Sequence, residues 1–153
     1  MSPLFGHRDE NQTRDNVAAL QAETDRLDAL SLPALAAEVM TKGFGPGGPG
    51  ADDDNAISVQ GPNISAGPTI ADLALEFAPA GNTKGADDAT RLRLQRLVAE
   101  GIQVLEHAGL IRTQMHTEMN GFDFALTRRG RDALQSGDVE GRWGRAGDRT
   151  DRV

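Results

Sequence analysis

The chain has 153 residues, 38% of them hydrophobic; 16 basic and 23 acidic side chains give a net charge of −7, and there is no cysteine. This length suits one cored domain with appendages, and the missing cysteine excludes disulfides, thiolate nucleophiles and cysteine-ligated zinc. No apolar run is long enough to span a bilayer, and the opening MSPLFGHRDENQTRD lacks the basic, apolar, small-residue order of a signal peptide, so a cytoplasmic protein without membrane contact is expected.

Residues 1–12 are polar and expected to be disordered, and residues 13–42 to form two N-terminal helices. In TRDNVAALQAETDRLDAL, Val17, Leu20, Thr24 and Leu27 recur at spacings of three and four and make one narrow apolar stripe. Such a stripe either packs on its own domain or forms a short dimer seam, and under two heptads a seam is marginal alone. In SLPALAAEVM, Ser31 stands at an N-cap, Pro33 in the first turn, and Leu32, Leu35, Ala36, Val39 and Met40 on one side.

Residues 43–56, GFGPGGPGADDDNA, are too rich in Gly, Pro and Asp for a regular backbone and read as a flexible loop. A short strand is expected between Ile57 and Ile64. Thr69 and Asp72 have capping-box spacing, with Asp in place of the usual Glu or Gln, ahead of a short helix carrying Ile70, Leu73, Ala74 and Phe77 on one face.

The longest periodic segment runs from about Asp88 to Ala108, with Asp87 and Asp88 at its start and Gly109 at its end. Stepping about 100° per residue puts Leu94, Leu97, Val98, Gly101, Leu105 and Ala108 on its buried face. From Leu110 the period changes to two, and Asn120-Gly121 predicts a hairpin with a two-residue loop. That register sets Met119 opposite Phe122, Thr117 opposite Phe124 and Met115 opposite Leu126 on the core side. On the other face, Glu118 lies opposite Asp123 and His116 beside Ala125. TRRGRDAL then predicts a short helix anchored by Ala133 and Leu134, and residues 137–153 are polar enough to be expected as a disordered tail.

The order short helix, long helix ending in LEHAGLI, hairpin, then LTRRGRDAL resembles the winged helix-turn-helix family of bacterial regulators, in its MarR-like and PadR-like branches, over about residues 68–136. The resemblance implies an α+β, mostly helical winged helix-turn-helix fold over residues 57–136, with a small antiparallel β-hairpin wing and an N-terminal helical extension. It also implies a transcriptional regulator that binds double-stranded DNA, with the long helix in the major groove and the wing near the adjacent backbone. A homodimer on two half-sites about one helical turn apart is the matching geometry.

The residues bear on that expectation in both directions. Opposite the buried face, the long helix offers Leu92, Gln95, Arg96, Ala99 and Gln103, with Arg91 and Arg93 on the borders. Arg pairs with guanine, Gln with adenine, and a small Ala lets a helix approach a thymine methyl; Gln95 and Arg96 are the first candidates. Arg91, Arg93, Arg128, Arg129 and Arg131 are candidates for phosphate contacts, and Arg112 stands at the wing base. A solvated helix face carries the same residue types for solubility alone. Asp87, Asp88, Glu100 and Glu106 oppose phosphate, and the Glu118–Asp123 pair makes the wing tip acidic.

Of the charge, residues 1–67 carry 4 basic and 10 acidic side chains, against 8 and 9 over residues 68–136. The alternative reading is therefore a winged-helix protein-protein interaction module without DNA binding, docking through Leu92, Leu110 and the N-terminal helix. An enzyme is not expected: there is no cysteine or tyrosine, and His7, His107 and His116 show no catalytic or ligand spacing. ADDDN lacks the later Gly and Glu of a calcium loop, and GFGPGGPG lacks the Lys-Ser/Thr ending of a phosphate loop. No metal and no cofactor are expected.

Overall fold

Gly101 sets how closely the two central helices approach. Helix α4 (Asp88–His107) lies along α2 (Leu32–Phe44) so tightly that a Cβ on Gly101 would stand 2.6 Å from Cγ2 of Val39. The computed structural model describes residues 6–51, 57–59, 69–116 and 121–143. Around the α2–α4 pair stand α1 (Gly6–Asp28), β1 (Ile57–Val59), α3 (Ile70–Leu75), the hairpin β2 (Ile111–His116) and β3 (Gly121–Leu126), α5 (Arg128–Ser136) and α6 (Val139–Trp143). The architecture is α+β and mostly helical, with an antiparallel hairpin.

Helix starts follow local chemistry. Ser31 caps α2, and Asp87 caps α4 by accepting the Thr90 amide at 2.7 Å. Thr69 and Asp72 form a reciprocal box at α3: the Thr69 amide donates to Asp72 at 2.7 Å, and the Asp72 amide donates to the Thr69 hydroxyl at 3.2 Å. Aspartate therefore serves where glutamate is usual. Gly109, at φ +68, turns the chain out of α4 in the left-handed conformation that favours glycine.

One core unites the chain: Leu20 and Leu27 of α1, Leu35 and Met40 of α2, Leu73 of α3, Leu94 and Leu105 of α4, Ile111 of β2 and Ala133 of α5 are all buried together. The N-terminal helices are thus built into the same interior as the segment after residue 57. On α4 the buried face includes Ile102 besides the expected residues. On α1, Leu20, Thr24 and Leu27 are buried and Val17 is half-buried; the Thr24 hydroxyl satisfies itself on the Leu20 carbonyl at 2.8 Å.

The expected boundaries need four corrections. Helix α1 begins at Gly6, taking in much of the stretch expected to be disordered. The glycine- and proline-rich segment is not irregular throughout: α2 runs on to a buried Phe44, and residues 45–51 fold back in turns, with the Gly50 amide donating to the Gly43 carbonyl at 2.6 Å. The tail contributes α6, whose Val139 is buried, because Arg129 donates to the Arg142 carbonyl at 2.6 Å and holds α6 on α5. Described strand β1 covers only residues 57–59; the expected continuation to Ile64, residues 52–55 of the ADDDN acidic stretch, the wing tip at 117–120 and the tail at 144–153 lie outside the described residues.

The fourth correction is the hairpin register. Met115 pairs with Phe122, Thr113 with Phe124 and Ile111 with Leu126, so the pairing is shifted by four residues from the one expected. The base of the hairpin decides this. Leu110, expected on an exposed docking surface, is instead buried along with Ile111; the Thr127 amide donates to the Leu110 carbonyl at 3.0 Å, and Gly130 packs so closely that a Cβ would stand 2.0 Å from that oxygen. A register anchored by core side chains overrides a turn preference at the far end. The shift is even, so Phe124 and Leu126 keep the side expected of them and pack against the core. β1 pairs antiparallel with β3, giving the sheet order β1-β3-β2.

Candidate nucleic-acid interface

Helix α4 has three sides, and the two that are not buried hold their arginines differently. The buried side carries Leu94, Val98, Ile102 and Leu105. The flank toward α1 is a polar clamp. Arg93 donates to Asp25 at 2.6 Å and to Asp28 at 2.5 Å, two carboxylates one turn apart on α1, and the Thr90 hydroxyl donates to the Gln21 side chain at 3.0 Å. Both carboxylates raise the Arg93 pKa above its ordinary value. A second arginine joins α1 to α2: Arg26 bridges Glu23 at 2.7 Å and Glu38 at 2.6 Å, and its hydrogen bonds hold the Glu23 carboxyl below the usual range.

The outer side is a stripe of Leu92, Arg96, Ala99 and Gln103 at spacings of four, three and four, so all four point away from the core. Leu92 is 51% exposed, Arg96 and Gln103 are exposed, and Ala99 is half-buried. Arg96 makes no ion pair or hydrogen bond among the described residues. Glu100 and Glu106 are exposed beside the stripe.

The nine residues singled out as contacts therefore divide. Arg96, Ala99 and Gln103 share the outer stripe, and Gln95 is half-buried at its edge. Arg91 is paired with Asp88 one turn back, and Arg93 is held by α1. Arg128, exposed at the first turn of α5, has no partner among the described residues, and neither has exposed Arg112 on β2. Arg129 is bound to the α6 backbone. Arg131 reaches the Leu126 carbonyl at 3.4 Å and lines an open cleft of about 490 Å³ with Phe44, Pro46 and Leu134.

The acidic pair expected at the wing tip is not formed as drawn. Asp123 stands opposite Gln114 and, on its other side, Ser58, in the middle strand of the sheet; Glu118 lies outside the described residues. His116 is opposite Gly121, with Arg112 beside Ala125 in its place. What residue patterns did not reveal was the Arg93 clamp. Its signal was Asp25 and Asp28 at helical spacing, but nothing local said which helix they face.

Among the described residues no helix is long and apolar enough to cross a membrane, and no group of three or more His, Asp or Glu side chains is arranged to hold a metal ion. No protein-family model, curated protein or solved structure matches the chain.

Proposed function

We propose that this protein is a winged helix-turn-helix DNA-binding protein, a transcriptional regulator that places α4 in the major groove of double-stranded DNA and acts as a homodimer. The element order supports it: helix α2, strand β1, helices α3 and α4, then a hairpin that closes a sheet in the order β1-β3-β2. The observation that carries the proposal is the outer stripe of α4, an uncovered face whose one arginine has no intramolecular partner among the described residues. Arg112 and Arg128, on the elements that follow α4, are the matching candidates for phosphate contact.

A salt titration of binding to mixed-sequence duplex DNA tests this. Two phosphate contacts in each protomer, four in the dimer, predict a loss of roughly 150-fold between about 50 and 200 mM salt. No binding at the low-salt end abandons the proposal. A second reading, docking of a protein partner on the same stripe, is favoured by one observation: Leu92 is half exposed, while Arg91 and Arg93 are already neutralised by Asp88, Asp25 and Asp28. Failure to bind DNA combined with a protein complex lost on Leu92→Ala would establish that reading instead.

A further inference from the structure

The side of α4 that remains uncovered is narrow, and its contents limit what bases it can distinguish. Helix-turn-helix proteins bring the N-terminal part of the recognition helix to base edges. With α4 starting at Asp88, Leu92 and Arg96 fall in its second and third turns, while Gln103 falls in the fifth, beyond that reach. Arg91 and Arg93 are in the right turns but their guanidinium groups are held by Asp88 and by Asp25 and Asp28. Two side chains, one aliphatic and one a planar fork of donors, are thus left on the stripe at that depth, above an alanine small enough to let the backbone come close.

Resting on the DNA-binding reading, we infer that α4 selects half-sites in which Arg96 pairs with a guanine and Leu92 covers the methyl group of a thymine about two base pairs away. The chemistry is that of major-groove readout: guanine presents two acceptors to one arginine, and thymine presents the groove's apolar group. The spacing follows from the helix, because four residues rise about 6 Å, close to two steps of about 3.4 Å along one DNA strand. Arg93 takes no part in base selection while α1 is docked.

The test is enrichment of random-sequence duplexes by the full chain and by Leu92→Ala and Arg96→Ala, both exposed positions whose replacement leaves the core intact. The native protein should enrich a guanine with a thymine two base pairs away. Arg96→Ala should lose about tenfold or more on the enriched site and with it the guanine preference. Replacing that thymine by deoxyuridine removes only the methyl group; it should weaken the native protein about fourfold and leave Leu92→Ala unaffected.

An enriched motif that neither substitution alters overturns the inference and leaves DNA binding standing. So does steep, salt-dependent binding with no motif enriched. Absence of any binding at low salt overturns the inference together with the reading beneath it.

Discussion

Arg93 and Arg96 stand three residues apart on one helix, yet Arg93 bridges Asp25 and Asp28 of α1 while Arg96 meets no charged partner among the described residues. Both are partly exposed, and a charge count treats them alike. The difference arises because α1 lies along only one flank of α4, bringing two carboxylates to one arginine. An arginine already in a two-carboxylate fork has its Coulomb attraction satisfied locally, and it contributes to a distant anion's field only as part of a neutral or negative cluster. Basic residues on an exposed helix therefore count toward an interface only after their intramolecular partners are known.

This contrast can be broken from each side of α4. The largest effect belongs to the buried side, which seats both others: Leu105→Ala should cost about 3 kcal/mol in urea unfolding, since Leu105 is fully buried. Gly101→Ala should cost about 1–2 kcal/mol, the overpacking against Val39 being partly offset by the better helix propensity of alanine. A neutral or stabilising result there would mean that α2 and α4 do not approach as closely as described.

Smaller in stability, and more pointed, is the pair Asp25→Asn with Asp28→Asn. It should lower stability slightly at low salt, an effect screened out in high salt. By freeing Arg93 it should also tighten DNA binding and steepen its salt dependence by close to one counterion per protomer. Arg93→Ala in the otherwise native chain should hardly change DNA affinity, and a large loss would show that the clamp opens on DNA. Arg96→Ala should change stability by no more than about 0.5 kcal/mol while weakening DNA binding.

Acid should loosen the other α1 bridge. Glu23 is held below its ordinary 4.5 chiefly by its hydrogen bond to Arg26, so its contribution is fully present above 4.5 and is lost as pH falls below that value, through the lowered folded-state pKa. Glu23→Gln should flatten that acid limb and leave stability near neutrality with little dependence on pH from this site; an unchanged acid limb would remove the bridge as its cause.

Much of the helical structure was legible because its signals are local. Ser31, Thr69 and Asp87 each cap the helix that follows, and the buried side of α4 follows its apolar period with Ile102 added. The hairpin was legible in kind but not in register. Asn120-Gly121 is a good turn, yet Leu110, Ile111, Thr127 and Gly130 fix the strands from the opposite end through contacts between residues distant in sequence. Val139 and Phe44 were missed for a related reason: each is a single apolar residue in polar or glycine-rich surroundings, with no periodicity to announce burial.

Of the candidate site, the sequence alone determined which side of α4 faces outward, since helical period and apolar pattern place Leu92, Gln95, Arg96, Ala99 and Gln103 opposite the core, with Gln95 found half-buried at the edge. Only the tertiary structure decided which arginines remain without an internal partner among the described residues. Charge pairing acts through space, and α1 meets α4 across more than sixty residues of chain, in the 2.5 Å contact of Arg93 with Asp28.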